Sequence, residues 1–338
     1  MDSALDAVAL QAKLRSQLSD RRFRLESTIA SLDQPADLVR LLAEVDSALS
    51  RLDAGNYGAC LVCHESVEVS DLRANPMATY CLCRLTPERQ RALERDLDLA
   101  WHVQAALLPP LGLAAAGWQT HYRYLPHGPV SGDYCDLVVA DRDREAGLYF
   151  MLGDVSGKGV AASLLMAHLN ASLRAFARRG LSPEEALGEA NRLLAESTLA
   201  SHYATLVCGH ASPSGEVETV NAGHSTPIVV RSSGSVETLG AAGLPLGLAI
   251  APEPGTRYRA EQVVLDEGDT LVLYTDGLTE AANSREEEYG SERLLRVLAR
   301  GARHAPRELI AACLTDLSSF LAGASLSDDL TMLALARR

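Results

Sequence analysis

Several features are scarce in this chain, and each scarcity excludes something. No run approaches the roughly 20 apolar residues that a membrane span needs. Met1 to Ser19 lack the basic start and apolar centre of a secretory signal, so a cytoplasmic protein away from membranes is expected. Basic side chains are outnumbered, 31 Lys and Arg against 44 Asp and Glu, for a net charge of -13. That balance argues against broad binding to a nucleic-acid backbone and favours a site that holds cations. The turn Gly157-Lys158-Gly159 lacks the rest of a P-loop. Leu152 and Gly159 stand where a glycine and a Ser or Thr are required, which excludes nucleotide binding by that route.

What is present suffices for about two domains at roughly 150 residues each, with 338 residues and 47% hydrophobic side chains to build the cores. Four of the seven cysteines lie between Cys60 and Cys83. In a cytosolic chain such a cluster reads as metal-binding before it reads as disulfide-bonded.

The N-terminal third begins with a polar, Arg-rich stretch, residues 4–30, whose Leu14, Leu18, Phe23, Leu25 and Ile29 are loosely spaced for a helix. Asp33-Gln34-Pro35 breaks it. Leu38, Leu41, Leu42, Val45, Leu49 and Leu52 then form an amphipathic stripe that Gly55 stops. Two helices around a Pro-containing break predict a helical hairpin. Cys60-Leu61-Val62-Cys63 and Tyr80-Cys81-Leu82-Cys83 follow with zinc-ribbon spacing. Four thiolates there would bind Zn²⁺ and give folding energy to a segment too short for its own core. The stretch RLDAGNYGACLVCHESVEVSDLRANPMATYCLC resembles the coiled coil and zinc finger of the DksA/TraR family. It departs from that family at the end: the second pair is Cys81-x-Cys83, and Arg84 stands where the fourth Cys would be. His64 could substitute as a ligand, or the finger could fold without metal. The resemblance also implies RNA polymerase as a partner, through acids at a long hairpin tip. Here the hairpin is short, with only Asp33 at its turn, so a dimerisation or sensory element is the plainer reading.

Pro87 starts another helix, with Leu93, Leu97, Trp101 and Leu108 at helical spacing and an end before Pro109-Pro110. The run ERDLDLAWHVQAALLPP resembles the linker helix that precedes SpoIIE/RsbU-type phosphatase domains. The apolar stripes of residues 38–52 and 93–108 predict a homodimer. The division expected is 1–85 regulatory module, 86–110 linker and 111–338 main domain.

In residues 111–338 the pattern predicts strands near 119–123, 136–140, 148–152, 204–210, 217–222, 227–231, 270–275 and 331–335. Helices are predicted over 159–178, 182–196, 291–299 and 306–323. Strand runs joined by short turns imply antiparallel hairpins and an α+β domain. Two buried strands end in an acid followed by glycine: Leu148 to Gly153-Asp154, closed by Gly157, and Thr270 to Thr275-Asp276-Gly277. A carboxylate at a buried strand end requires a metal, a donor or water. Singly, Asp-Gly after a strand is an ordinary turn; two such ends suggest one shared acidic centre.

Taken in order, Ser131-Gly132-Asp133, Gly153-Asp154-Val155-Ser156-Gly157, Asn221-Ala222-Gly223-His224, Thr275-Asp276-Gly277 and Ser327-Asp328-Asp329 resemble the PP2C-like (PPM) phosphatases of the SpoIIE/RsbU type. The resemblance implies a PP2C-like α-β-β-α sandwich and a binuclear Mn²⁺ or Mg²⁺ site, with the ions roughly 4 Å apart, for in-line phosphoryl displacement. It implies that Asp154 bridges the metals, the Val155 carbonyl aids one, Asp133 serves the same ion, and Asp276 with Asp328 holds the other. Asp329 is the alternative to Asp328. It implies hydrolysis of phosphoserine or phosphothreonine on a protein, an anti-sigma-factor antagonist in a partner-switching pathway, under control of the N-terminal module. It also places a mobile segment at residues 285–290. Lys158 and His224 could touch phosphate or simply serve their loops, and Arg123 is the nearest upstream cation to grip phosphate. The competing reading is a transcription regulator that binds RNA polymerase and uses the same fold as a binding domain.

Overall fold

The computed structural model describes residues 2–29, 36–60, 66–78, 87–140, 146–197, 202–240, 243–248 and 258–338. They fall into two compact units, one within Met1–Arg95 and one made of Asp96–Thr198 and His202–Arg338.

In the first unit, helix α1 (Asp2–Ile29) and helix α2 (Ala36–Asp53) pack together. The amphipathic stripe is the cause. Val45 and Ala48 are wholly buried with Leu18 and Leu25, and Leu38, Leu41, Leu42, Leu49 and Leu52 surround them. Ion pairs Arg22–Asp46 and Arg15–Asp53 flank this seam. The 38–52 stripe is therefore satisfied largely within the chain and does not by itself demand a second copy. Beyond it, Cys60 is buried with Leu14, Val67 and Leu72, the last on the short helix α3 (Val69–Ala74). The Tyr57 hydroxyl donates to the Pro76 carbonyl at 2.6 Å. Cys63, Cys81 and Cys83, with His64 and Asp33, lie outside the described residues.

Helix α4 (Pro87–Leu107) buries Gln104 and leaves Leu99, Trp101 and Val103 exposed. It is followed by strands β1 (Ala114–Ala115), β2 (Trp118–Leu125), β3 (Asp133–Ala140) and β4 (Gly147–Val155), then helices α5 (Val160–Arg178) and α6 (Pro183–Ser197). Strands β5 (Ala204–Ala211), β6 (Glu216–Ala222), β7 (Ile228–Val230), β8 (Val236–Thr238), β9 (Glu261–Val264) and β10 (Thr270–Tyr274) come next. Helices α7 (Asp276–Thr279), α8 (Ser291–Arg300) and α9 (Pro306–Leu321) and strand β11 (Leu330–Arg337) complete the order. Among the described residues the strands form two antiparallel sheets, in orders β1-β2-β11-β10-β7-β8 and β3-β4-β5-β6-β9.

Alternation along each strand sorts the side chains into three layers. On β4, Tyr149, Met151 and Val155 face helices α5 and α6, whereas Leu148, Phe150 and Leu152 face the other sheet. On β11, Met332 and Ala334 face α8 and α9, whereas Leu333 and Leu335 point between the sheets. The result is an α-β-β-α sandwich, as the resemblance implies, within the α+β class that the strand and helix pattern predicts. Burial on both faces is also why β4 reads as a nearly continuous apolar run. The unpredicted strands β1, β8 and β9 are two to four residues long; β8 and β9 lie at sheet edges and are mostly exposed, so they carry no apolar alternation. Contrary to the expectation that no run approaches a membrane span, helix α5 is long and apolar enough to cross a membrane by length and composition alone. Here Met166, Leu169, Leu173 and Ala177 are used against the sheet.

Leu173, wholly buried in that layer, supplies a test of the packing. Leu173→Ala should lower unfolding stability by about 2–5 kcal/mol, through lost transfer energy and a residual cavity. Urea denaturation with an unchanged slope would read this as a lower midpoint. A midpoint left in place would contradict the α5–sheet packing.

Candidate active site

The same alternation places the acids. Asp133 begins β3 and is the direct cross-strand partner of Asp154 near the end of β4. Counting by twos from Leu152 and from Cys135, both carboxylates fall on the face that looks toward the other sheet. Opposite them, Thr275 follows Leu271 and Leu273 in step, and Thr331 precedes Leu333 and Leu335. Apolar residues fill the space between the sheets, and at this end it turns polar. Asp276 opens α7 directly after Thr275, and Asp328 and Asp329 lie in the turn before β11. The structure thus gathers every acid named from the motifs around one end of the sandwich.

Asp133 is wholly buried, and its Oδ2 accepts hydrogen bonds from both Thr275 Oγ1 and Thr331 Oγ1. The Thr275 hydroxyl also accepts from the Thr331 amide at 2.9 Å. The backbone amide of Asp133 donates to Ser131 Oγ at 3.1 Å, and Ser131 is held in turn by Gln104 of α4. The Gln104 side-chain amide donates to the Ser131 carbonyl at 2.7 Å, and its oxygen accepts the Ser131 amide at 2.9 Å. Helix α4 is thereby tied to the strand end that carries Asp133. Thr275, Thr331 and Gln104 were not legible as site residues: a threonine in or just after a strand and a glutamine in a helix are ordinary alone. Strand parity is the one signal that finds the threonines.

The Asp pair separates cleanly. Asp329 accepts the His127 amide at 2.7 Å on Oδ1 and the Gly132 amide at 2.9 Å on Oδ2, so both its oxygens brace the loop before β3. Asp328 is half-exposed and faces Lys158, whose Nζ lies 3.0 Å from Oδ1. Gly277 lies so close to the Asp329 backbone that an added Cβ would sit 1.9 Å from its carbonyl oxygen. That contact cannot yield by rotating a side chain. Gly277→Ala should therefore destabilise the domain by about 2–4 kcal/mol, visible as a lower melting temperature. An unchanged melt would contradict the close approach of these two loops.

Electrostatics follow from the crowding. Lost hydration, then the charges of Asp276, Asp328 and Asp329, push the Asp154 carboxyl up to about 7, with Lys158 opposing. Burial, then Asp154, raises Asp133 well above the usual carboxylate range against the two threonine hydroxyls. Asp276 is raised by lost hydration and by Asp328, and Glu280 by lost hydration, Asp276 and Glu288. Carboxylates that repel one another are the hard oxygen donors that a divalent cation relieves, so the residues fit Mn²⁺ or Mg²⁺ in charge and donor chemistry. Among the described residues, no three His, Cys, Asp or Glu side chains already form a ligand cage.

The remaining candidates differ in fate. The Val155 carbonyl lies against Gly132, where an added Cβ would come within 2.9 Å of it, and the Val155 amide donates to the Gly132 carbonyl at 3.2 Å. His224 is buried, and its Nδ1 is 2.8 Å from Oγ1 of Thr205, the cross-strand partner of Asp154. Burial drives its pKa down to about 4, so it stands as a neutral prop behind Asp154. Arg123 pairs with Met332 on the face turned to α8 and α9, opposite to Tyr122 and Tyr124, which face the inter-sheet layer. It is on the wrong side of its sheet to meet the acids. The residue 284–288 segment is exposed, and the Asn283 side chain before it accepts from the Arg285 and Glu287 amides.

Comparison with known proteins agrees with this geometry. The family model for Stage II sporulation protein E (SpoIIE) matches residues 144–338. The chain is 26% identical over 270 residues to Protein IcfG of Synechocystis, covering 72% of this chain and 41% of IcfG. It is 26% identical over 193 residues to the phosphoserine phosphatase RsbU of Bacillus subtilis, covering 56% of this chain and 55% of RsbU. The chain spans about half the length of the curated relatives it matches. Among solved structures, the RsbU and RsbW domains of Rv1364c from Mycobacterium tuberculosis superpose with a TM-score of 0.56 at 28% identity. That match covers 68% of this chain and 62% of the other.

Proposed function

This chain belongs to the SpoIIE family, and on that premise we propose that it is a metal-dependent protein phosphatase acting on phosphoserine or phosphothreonine of a partner protein. The observation that carries the reading is the cluster itself, with the Asp154 carboxyl pushed up to about 7 by lost hydration and by the neighbouring Asp276, Asp328 and Asp329. A fold that needed only to bind a partner would gain nothing from keeping repelling carboxylates at the end of its core.

Asp154, Asp276 and Asp328 are the residues that would hold two Mn²⁺ or Mg²⁺ ions, with Asp133 and the Val155 carbonyl assisting on the Asp154 side. Such ions supply Lewis-acid stabilisation of charge on phosphoryl oxygens and ease deprotonation of the attacking water. The chain's own part is positioning. Thr275 and Thr331 fix Asp133 from the opposite sheet, Asp329 anchors the His127–Gly132 loop, and Thr205 with His224 backs Asp154. Asp329 accepts a backbone amide on each oxygen, whereas Asp328, among the described residues, accepts one on Oδ1 alone and keeps Oδ2 clear, so Asp328 is the ligand of the pair we favour. No side-chain nucleophile is required, because water attacks phosphorus directly.

A phosphorylated anti-sigma-factor antagonist is the substrate class we favour. The relative RsbU is itself a phosphoserine phosphatase, and the M. tuberculosis chain joins an RsbU domain to an RsbW domain. The N-terminal module, with its DksA/TraR-like sequence and a structural Zn²⁺ among Cys60, Cys63, Cys81 and Cys83, would regulate the enzyme. Its route would be α4, where Gln104 grips Ser131 next to Asp133. Leu99, Trp101 and Val103 on that helix are the surface through which we expect a homodimer. Hydrolysis of p-nitrophenyl phosphate that requires Mn²⁺ tests the reading. A purified, folded protein that shows none, with Mn²⁺ or with Mg²⁺, would sink it.

A further inference from the structure

We propose that Lys158 has two alternating partners: the carboxylate of Asp328 while the site lacks metal, and the phosphoryl group of the substrate once a divalent cation takes Asp328. The inference rests on the phosphatase reading above and adds the phosphate-gripping residue that the reading lacks. A phosphate monoester is an anion that must enter a field of carboxylates, so a cation has to meet it. Arg123, the nearest upstream cation, is on the opposite face of its sheet. Among the described residues, Lys158 is the cation whose charge acts on both Asp154 and Asp276.

Its present partners are specific. Nζ lies 3.0 Å from Asp328 Oδ1 and donates to the Ser327 carbonyl at 2.9 Å, joining two turns about 170 residues apart. Gly157 and Gly159 on either side have φ of 100° and 76°, and nothing lies within 4 Å of a Cβ built on either. These glycines serve the backbone path of the turn, not its packing, and leave room for the side chain to swing. The Lys158 side chain is 50% exposed and that of Asp328 49% exposed, so both metal and phosphate can reach the pair. An ammonium on a flexible stem, with three donors, can follow an anion across a few ångströms. Asp328 Oδ1 also accepts the Asp329 amide at 2.9 Å; cation and ammonium compete for the charge of this one carboxylate, so metal binding and phosphate grip become linked through a single side chain.

The linkage makes opposite predictions for two ligands, which a merely structural lysine would not. In the full chain at pH 7.5, Lys158→Gln should bind Mn²⁺ roughly five- to tenfold more tightly by titration calorimetry, because a competing positive charge is gone. It should bind inorganic phosphate, in the presence of saturating Mn²⁺, roughly tenfold or more weakly, because a charge-assisted hydrogen bond is lost. Lys158→Arg should keep both affinities within about threefold of the parent. Affinities that move in the same direction, or that do not move, overturn the proposal. A parent protein that takes up no Mn²⁺ at all would overturn the phosphatase reading instead, so the two failures are distinguishable.

Discussion

Asp154→Asn abolishes Mn²⁺-dependent turnover by at least about a thousandfold while leaving the metal-free protein as stable as its parent, or more so. The first half follows from the position of Asp154. It is the acid on which the charges of Asp276, Asp328 and Asp329 converge, so losing its charge removes the donor that any cation in the cluster would share. Several kcal/mol of transition-state stabilisation depend on such a cation, and each 1.4 kcal/mol is tenfold in rate. The second half follows from the same repulsion. A carboxyl raised from 3.8 to about 7 is a group the fold would rather keep uncharged, and a neutral amide of the same shape relieves that strain. Asp276→Asn should behave alike, with a smaller gain in stability since it faces solvent at the rim. The double variant should cost little more activity than either single one, since groups that act as a unit are not additive. Steady-state assay with Mn²⁺, paired with thermal melts in chelator, reads both halves. Activity retained by both single variants would defeat the metal-centre reading; activity lost together with the fold would show the acids to be structural.

The strand-end acids were legible because a buried apolar run stopped by Asp-Gly has few explanations, and the run itself fixes which strand carries it. Asp133 was less so: the strand predicted from the apolar run 137–140 begins at Asp136, yet the strand itself begins at Asp133, where pairing with Asp154 extends it. Arg123 shows the opposite failure. It is near in sequence, but one step of strand parity turns it to the helix side, and parity can be assigned only once Tyr122 and Tyr124 are known to face inward. Asp329 and Asp328 are adjacent and chemically identical. Only the approach of the His127 and Gly132 amides, about 200 residues earlier in the chain, divides their roles. Thr275 and Thr331 come from β10–β11 and Asp133 from the other sheet, so their meeting depends on how two sheets stack. No local pattern encodes that. Charge was legible in aggregate, since the net -13 already favoured a cation site, but not the Lys158 pairing, which joins two glycine-flanked or polar turns with no periodicity.

Metal should stabilise the protein in proportion to pH, and this second large effect comes from the same titration. Asp154 has its folded pKa raised, to about 7 from 3.8. Its contribution to stability is therefore fully present below about 3.8 and is lost as pH rises through about 7. In chelator, the repulsion among these carboxylates should erode stability between pH 4 and pH 7, on the order of a few kcal/mol. A divalent cation competes with that proton and takes over its role, so its affinity should climb over the same interval. At a hundredfold excess over its dissociation constant, Mn²⁺ adds about 2.7 kcal/mol, equivalent to roughly 5–10 °C in a domain of this size. The melting temperature should thus rise by several degrees with Mn²⁺ at pH 8, hardly at all at pH 5, and not at all in Asp154→Asn at either pH. His224 provides the control of opposite sign. Its folded pKa is lowered to about 4, so the stability it contributes is present above about 6.5 and is lost as pH falls through 4, with or without metal. Equal Mn²⁺ gains at pH 5 and pH 8 would mean that the cation binds away from Asp154, and the acid cluster would then lose its claim to be the centre of the chemistry.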